Sequence, residues 1–318
     1  MNKFFSILKR YILPLLLVLL LIVGTAGWFI GSYFVDFAFK RGNPTDPKAL
    51  PKASLGIISM NLAAPPKPDF KNEVWKISRN GEQRVATAFY AAQPTSSWII
   101  MVHGYCRDQR YVWYYAAEYL NRGYNVLTPD LNASGNSDGQ YLTMGIKESE
   151  DVVSWAESIV QKDKNVRIAL HGVSMGAATV MLAAEKKLPP NVYAVVEDCG
   201  YTSAYEMASF QLRKMFDLPA FPVLNMVDIV QKIKLGCYLS EAAPVKDISR
   251  VKLPVLFIHG SKDSLIPYTM AEELYAKCGS SQKDIFIMKN AEHARSMYTD
   301  REAYFRKVFG FLENSQKQ

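Results

Sequence analysis

The sequence predicts an α/β fold, with a mostly parallel sheet covered by helices on both faces, preceded by one transmembrane helix. Short apolar segments alternate with longer amphipathic ones, which is the pattern of parallel strands joined by crossover helices. One apolar segment leads into a G-x-S-x-G pentapeptide at 172–176 and then into small residues, as a sharp strand-to-helix turn requires. An uncharged stretch at 11–35 is long enough to cross a hydrocarbon core of ~30 Å.

The N-terminal segment predicts a retained membrane anchor. A short basic tail, residues 1–10, precedes the uncharged span at 11–35. A cleaved signal peptide is the alternative, because residues 24–26 offer a small-x-small site. The sequence nevertheless stays apolar beyond that site, and no cysteine lies near the span to accept a lipid. We therefore expect a transmembrane signal-anchor.

The orientation of this span is predicted from the length of the tail. The count of basic residues does not decide it, because they lie on both sides of the span. Those that follow it are Lys40, Arg41, Lys48 and Lys52. A short basic tail followed by the bulk of the chain is typical of an N-inside protein, so we expect a single-pass protein of the cell membrane with an extracytoplasmic domain. Gly27-x-x-x-Gly31 could pack two spans together, although this spacing also arises by chance.

After the anchor, the proline-rich residues 36–68 are interpreted as a stalk, and residues 69–318 as one domain. The domain opens with an antiparallel pair of strands, because Asn80-Gly81 is typical of a tight hairpin turn. The later strands are wholly apolar, as expected when both faces of a sheet are covered. The predicted strands, eight in all, are 74–78, 84–90, 98–102, 125–128, 166–170, 192–196, 255–258 and 284–288.

Helices are predicted between these strands, and one segment interrupts the alternation. The predicted helices are 109–121, 147–160, 177–185 and 302–312. The interruption, at about 202–243, is apolar and helical in character. It could form a cap over a site at the sheet edge or an ordinary pair of core helices, and we favour the cap.

Composition and charge exclude several classes of protein. Hydrophobic residues make up 49% of the 318 residues, as in a globular protein with a large core. The net charge is +7, of which Lys3, Lys9 and Arg10 supply three, and no long basic run follows, so no nucleic-acid partner is expected. The four cysteines form no C-x-x-C pair and no metal-ligand spacing with histidine. We therefore expect no metal and no organic cofactor. The four cysteines are expected to be free thiols, with a single disulfide as the alternative. No sequence pattern specifies an oligomeric state.

Ser174 is the predicted nucleophile. It lies at the centre of the G-x-S-x-G turn, where glycine is needed at 172 and 176 because the strand and helix leave no room for side chains. The turn exposes the hydroxyl, and the helix N-terminus behind it favours developing negative charge.

The general base is chosen by elimination among four histidines. His103 and His171 end strands directly before glycines, where their side chains belong to the turns. His259 lies four residues before a better candidate for the acid. His293 follows the last strand in a loop that can reach the sheet edge, so we assign it as the base that activates Ser174.

The acid and the oxyanion donors are predicted from their positions at strand ends. Asp263 follows the strand at 255–258 and therefore projects at the same edge as the serine. Asp198, at the end of another strand, is its competitor, and Asp130 is interpreted as structural. The backbone N–H groups of Met175 and Tyr105 are predicted to stabilise the oxyanion.

These residues together resemble the α/β-hydrolase superfamily. The order Ser174, Asp263, His293 and the alternation of strands and helices carry the resemblance over about 70–315. E-D-C-G-Y-T-S at 197–203 and I-H-G-S-K-D at 258–263 resemble membrane-anchored serine hydrolases of Gram-positive bacteria, related to ABHD-type enzymes. The resemblance implies esterase-like activity and N-inside topology. At 132–135 the chain has N-A-S-G where relatives commonly have R-G-H-G, so their substrate preference does not carry over directly.

The sequence therefore predicts a serine hydrolase of the carboxylesterase or lipase type, acting on a small-molecule or lipid-like acyl substrate. An acyl-enzyme on Ser174 would be its intermediate. A peptidase or an acyltransferase could use the same three side chains, since a fold does not fix a substrate. A non-catalytic, membrane-tethered binding module is a further alternative, but such modules usually lack one of the three residues, and here all are present.

Overall fold

The computed structural model describes residues 8–41 and 65–316, so the tail at 1–7 and most of the predicted stalk lie outside the described residues. The predicted α/β-hydrolase fold is confirmed, with an eight-stranded sheet in the order β1-β2-β4-β3-β5-β6-β7-β8. The strands are β1 (Asn72–Arg79), β2 (Glu82–Phe89), β3 (Ser97–Val102), β4 (Asn125–Pro129), β5 (Arg167–Val173), β6 (Val192–Asp198), β7 (Val255–Gly260) and β8 (Lys283–Met288).

The sheet is antiparallel at its first edge and parallel elsewhere. β1 and β2 form the predicted hairpin, in which Asn80 and Gly81 take φ angles of 52° and 80°. Glycine and asparagine tolerate this left-handed region best, so the turn matches its sequence. β2 then pairs antiparallel with β4, whereas β3 to β8 run parallel. The carboxyl ends of the central strands therefore meet at one edge.

Helices cover both faces of this sheet. They are α1 (Leu13–Phe39), α2 (Trp113–Asn121), α3 (Ile146–Lys162), α4 (Met175–Ala184), α5 (Ala204–Phe216), α6 (Ala220–Leu235), α7 (Thr269–Lys277) and α8 (Arg301–Ser315). A π-helical turn at Leu8–Ile12 precedes α1. Shorter helical turns occupy Gln109–Val112, Leu239–Glu241, Pro244–Asp247, Ile248–Arg250 and Ser296–Thr299.

Local sequence explains where several of these helices begin and end. The Ser203 hydroxyl accepts from the N–H of Glu206 at 3.1 Å and so caps α5. Gly236, with a φ angle of 84°, ends α6 in the left-handed conformation that glycine favours. The sequence did not predict α7, which is a short connection between β7 and β8.

The core forms two apolar layers, one on each face of the sheet. Consecutive residues of β3 point to opposite layers, because side chains alternate along a strand. Ile100 packs in the layer that contains Trp155 of α3. Ile99 packs in the layer that contains Tyr119 of α2 and Phe309 of α8. The layer that contains Trp155 continues into the 202–243 insertion, which forms α5 and α6.

The N-terminal helix is long and apolar enough to cross a membrane over Arg10–Phe39. It continues as helix past the predicted end of the span at residue 35. Gly27 and Gly31, at the spacing noted in the sequence, face α6: a Cβ atom on Gly31 would lie 2.7 Å from the Val230 Cγ2 atom. The small residues therefore let α1 approach a helix of its own chain.

Candidate active site

Ser174 lies at the tip of the turn between β5 and α4. Its backbone is held at φ 59° and ψ −121°, an unfavourable conformation for a residue with a side chain. A Cβ atom on Gly172 would lie 2.0 Å from the Gly176 carbonyl oxygen, and one on Gly176 would lie 2.3 Å from the Val102 oxygen. The two glycines are therefore sterically required, as the pentapeptide predicted. The Ser174 N–H donates to the Asp198 carbonyl at 2.8 Å and joins the turn to β6.

The structure brings the three residues predicted for catalysis into one hydrogen-bonded line. The distance from Ser174 Oγ to His293 Nε2 is 2.8 Å, and that from His293 Nδ1 to Asp263 Oδ2 is 2.7 Å. An ionised carboxylate can only accept, so His293 Nδ1 carries the proton and Nε2 accepts from the serine hydroxyl. This is the tautomer that a general base requires.

Asp263 is held as an anion by the donors around it. Its Oδ1 atom accepts from the N–H groups of Leu265 and Ile266 at 2.9 and 2.8 Å. Burial alone would raise the pKa of this carboxyl, but hydrogen bonds and charge from His259 and His293 outweigh it, so the pKa lies below its ordinary value. The carboxylate therefore stays ionised beside the imidazole.

His259 is a residue of the site that the sequence reasoning passed over. Its Nε2 atom lies 3.1 Å from Asp263 Oδ2 and 2.9 Å from the Ile266 carbonyl oxygen. Burial would lower the pKa of this imidazole, but Asp263 and Glu197 raise it above its ordinary value. A second imidazole thus contacts the same carboxylate oxygen as His293. The signal that could have revealed this contact is the position of His259 near the end of β7, four residues before Asp263.

Asp198, the competing acid, lies on a different hydrogen-bonded line. Its Oδ2 atom accepts from the Tyr304 hydroxyl at 2.9 Å. That hydroxyl lies 3.1 Å from His171 Nε2, and the Tyr119 hydroxyl lies 2.8 Å from His171 Nδ1. Burial lowers the pKa of His171 to about 3 and raises that of Asp198 to about 6. His171 is therefore a neutral, buried histidine.

The remaining strand-end residues are structural, as the sequence indicated. His103 Nε2 accepts from the Leu131 N–H at 3.1 Å, while its Nδ1 lies 2.9 Å from the Gly104 oxygen. The Asp130 carboxylate accepts from the N–H groups of Gln109 and Asn136, both at 2.9 Å. These contacts tie the loops after β3 and β4 together.

The two predicted oxyanion donors flank Ser174. Met175 is the first residue of α4, and Tyr105 follows Gly104 in the loop after β3. That loop passes close to the serine, since a Cβ atom on Gly104 would lie 3.2 Å from Ser174 Cβ. Met175 and Tyr105 both border the cavity that contains Ser174 and His293. The Tyr105 hydroxyl donates to the Ala38 carbonyl of α1.

A cavity of about 690 Å³ opens above Ser174 and is lined mainly by apolar side chains. Helices α5 and α6 of the insertion form one wall, so the insertion lies over the site as a cap. The last turns of α1 form another wall. The larger apolar side chains contributed by these helices are Phe34, Phe37, Phe39, Met207, Leu212, Met215, Phe216, Leu224 and Val227.

One group of residues near the serine could offer three ligand atoms to a metal. Atoms of Cys199, Asp263 and His293 lie within 4.8 Å of one another. Burial and nearby carboxylates raise the pKa of the Cys199 thiol well above its ordinary value, and metal binding needs a thiolate. His293 Nδ1 and Asp263 are already hydrogen-bonded to each other. These side chains therefore suit proton transfer better than metal binding, and all four cysteines are free thiols.

Comparisons with known proteins agree with this fold. An uncharacterised protein of Bacillus subtilis, YqkD, is 32% identical over 226 residues, which cover 70% of this chain and 73% of the relative. The mitochondrial palmitoyl-protein thioesterase ABHD10 of Bos taurus is 23% identical, over 65% of this chain and 70% of its own. The esterase Pf2001 of Pyrococcus furiosus shares the fold with a TM-score of 0.64 and 20% identity, over 77% of this chain and 91% of its own.

The matches confirm the predicted resemblance to α/β-hydrolases of the ABHD type and support a hydrolase. The model of the prolyl oligopeptidase family matches residues 111–318, a range that contains Ser174, Asp263 and His293. The chain therefore belongs to the prolyl oligopeptidase family, within the α/β-hydrolase superfamily.

Proposed function

We propose that this protein is a membrane-tethered serine hydrolase that cleaves acyl esters through an acyl-enzyme on Ser174. One observation carries the proposal: the Ser174–His293–Asp263 line, with distances of 2.8 and 2.7 Å, faces an apolar cavity of about 690 Å³. A nucleophile, its base and an orienting acid are then within reach of a bound carbonyl group.

In the first half of the reaction, His293 Nε2 takes the proton of Ser174 as Oγ forms a bond to the carbonyl carbon. The bond from that carbon to the leaving oxygen then breaks, and the leaving oxygen takes the proton from His293. In the second half, water gives a proton to His293 and its oxygen bonds to the acyl carbon. The Ser174 oxygen leaves with the proton from His293, which releases the acid and restores the enzyme.

Asp263 and the two backbone amides support these steps electrostatically. The ionised Asp263 stabilises the imidazolium that His293 becomes when it holds the proton. The N–H groups of Met175 and Tyr105 stabilise the negative oxygen of the tetrahedral intermediate, each worth roughly 10²–10³ in rate. His259 acts through Asp263 and is a positioning residue.

The apolar lining favours an acyl chain as the group held above the serine. The esterase activity named for the Pyrococcus relative and the thioesterase activity named for the bovine one are consistent with this choice.

A panel of p-nitrophenyl esters and matched p-nitroanilides separates esterase from peptidase chemistry. We expect the esters to be cleaved and the anilides to be left intact, and an added alcohol acceptor to report any acyl transfer.

We place the hydrolase domain outside the cytoplasm, anchored by the span at Arg10–Phe39. The short basic tail before the span supports this orientation. Intact cells treated with an impermeant protease test it: the domain should be digested from outside, whereas protection until lysis would place it in the cytoplasm.

Labelling with an alkyl fluorophosphonate tests the nucleophile itself. We expect stoichiometric labelling of the wild-type protein and none of Ser174→Ala, because the reagent bonds to an activated serine oxygen. Turnover of p-nitrophenyl butyrate by Ser174→Ala should fall by at least about 10⁴-fold. Equal labelling of both proteins, read by intact mass, would remove Ser174 from this role.

A further inference from the structure

The last turns of the anchor helix are packed onto the cap. The side of α1 that faces the protein is buried at every fourth residue: Gly27, Gly31, Val35 and Phe39. A Cβ atom on Gly31 would lie 2.8 Å from the Met226 carbonyl oxygen, and one on Gly27 would lie 3.5 Å from the Met226 sulfur. The backbones of α1 and α6 are therefore in close contact, as small residues allow between helices in membranes.

Polar contacts then fix the end of α1 to the hydrolase domain. The Arg41 guanidinium donates to the Gly135 and Ser137 carbonyl oxygens, each at 2.6 Å. Lys234 of α6 donates to Asp36 at 2.9 Å. The loop that holds Arg41 is the loop after β4, which borders the cavity. The end of the anchor is thus joined both to the loop after β4 and to α6 of the cap.

This docked end of α1 is also a wall of the cavity above Ser174. Phe34, Phe37 and Phe39 line it together with the cap. The ring of Phe34 meets the ring of Phe216 on α5 edge to face, with centroids 5.9 Å apart. The two aromatic rings form a seam between anchor and cap, beside the serine.

The outer side of the cap is apolar where it runs beside the membrane span. Contacts of Gly27 with Met226 and of Gly31 with Val230 show that α1 and α6 run in the same direction. A span needs about 20 residues, so a span that begins at Leu13 includes Gly27 and Gly31 and brings α6 to the bilayer as far as about Val230. The exposed side chains on this part of α6 are apolar except for Asn225, and they include Phe221 (75%) and Ile229 (57%), with Ile233 (63%) one turn further on. An apolar surface of this kind suits contact with lipid.

We propose that the cavity takes the long acyl chain of a membrane-lipid ester, which passes from the bilayer through the seam between α1 and α5. The anchor helix is then part of the substrate site, and the ester carbonyl reaches Ser174 while the chain stays among apolar side chains throughout. The inference rests on the proposed function, since it assigns a substrate class to the same serine.

The test uses the full chain in vesicles of phosphatidylcholine with a minority of phosphatidylglycerol, and two substrates. Dioleoylglycerol in the bilayer reports the membrane route, by release of oleate. p-Nitrophenyl butyrate in water reports the triad alone. If the wild-type protein cleaves neither ester and is not labelled by a fluorophosphonate, the proposed function fails; if it cleaves only the butyrate, the membrane-lipid inference fails while the proposed function stands.

Two glycine variants provide a matched pair in the anchor. Gly31→Val places a side chain against the Met226 backbone, whereas a Cβ atom on Gly24 meets nothing within 4 Å. We expect Gly31→Val to lower oleate release by about tenfold or more and butyrate cleavage by less than about threefold, because overpacking moves the wall and not the triad. Gly24→Val should match the wild type with both substrates. Equal loss of both activities in Gly31→Val, or loss of neither, would overturn the inference.

A second variant tests the cavity without touching the anchor. Ala208 on α5 lines the cavity, and Ala208→Trp would fill space that the acyl chain needs. We expect the ratio of oleate release to butyrate cleavage to fall by about tenfold or more. Phe29→Ala, on the exposed side of α1 (69%), is the control and should keep the wild-type ratio. An unchanged ratio in Ala208→Trp would show that the long chain lies elsewhere and would overturn the inference.

Discussion

Two hydrogen-bonded lines of similar composition lie in this domain, and only one faces a cavity. The first joins Ser174, His293 and Asp263 at the carboxyl edge of the sheet. The second is sealed between the sheet and helices α2 and α8. It runs through Tyr119, His171, Tyr304 and Asp198. Each line contains an imidazole, a carboxyl group and at least one hydroxyl group, so these groups alone do not separate them.

The difference between the two lines is the supply of donors to the carboxyl group. Asp263 accepts from two imidazoles and two backbone amides, and its pKa is lowered. Within the described part of the chain, Asp198 Oδ1 has no hydrogen-bond partner, and burial raises its pKa to about 6. Asp263 therefore stays ionised over a wider pH range than Asp198, and it alone of the two contacts the imidazole of His293. A strand-end acid becomes useful for catalysis when its surroundings keep it ionised.

The strongest test of this comparison replaces the aspartate of each line by asparagine, which removes the carboxyl charge. Asp263→Asn should lower kcat for p-nitrophenyl butyrate by about 10⁴-fold, because the amide no longer holds His293 in the required tautomer. Asp198→Asn should stay within about tenfold of the wild type, since no proton transfer uses it. A larger loss of kcat in Asp263→Asn than in Asp198→Asn would support Asp263 as the orienting acid. A larger loss in Asp198→Asn would assign that role to Asp198.

The pH dependence of stability sharpens the contrast. Asp198 has a pKa of about 6 in the folded protein, against about 3.9 when unfolded. The folded state therefore holds more protons between these values, and stability falls as pH rises through them. Between pH 4 and pH 7, wild-type protein should lose about 2 kcal/mol relative to Asp198→Asn. Thermal unfolding in detergent at the two pH values measures this, and a constant difference between the proteins would contradict it.

The smallest expected effect concerns the hydroxyl that joins His171 to Asp198. Tyr304→Phe leaves both buried groups short of a partner, so we expect a loss of about 1–3 kcal/mol in the free energy of unfolding. Activity should change by less than about threefold, because the sealed line does not reach the cavity. Tyr238→Phe, at a side chain 38% exposed, serves as control and should change stability by less than about 0.5 kcal/mol. A large loss of kcat in Tyr304→Phe at full stability would show that the two lines are coupled.

Much of the fold could be predicted because strand and helix patterns are local. Every predicted strand is present in the sheet, and the hairpin at Asn80-Gly81 follows from the conformations these two residues tolerate. The pairing of β2 with β4 and the helix α7 were not predicted. Pairing between distant strands depends on how whole layers pack, and α7 is too short for its periodicity to stand out.

The candidate site, like the fold, could be predicted only as far as local sequence patterns allow. The approach of Ser174, His293 and Asp263 could be predicted because each follows a strand whose carboxyl end lies at one edge. Their catalytic roles remain predictions. The contact of His259 with Asp263 depends on the turn after β7, in which Gly260 packs with its Cβ position 2.4 Å from the Ala291 oxygen. The docking of α1 on α6 joins residues about 200 positions apart, which no local pattern records.

The docked anchor has a practical consequence for biochemistry on this protein. A soluble fragment that begins after Arg41 would lack Phe34, Phe37 and Phe39. It would also expose the side of α6 that α1 covers, which invites aggregation. Such a fragment would keep its serine, histidine and aspartate, and under the proposed function we expect it to hydrolyse small esters. Its substrate selectivity would be measured on a cavity without the α1 wall. Substrate screens should therefore use the intact chain in a bilayer.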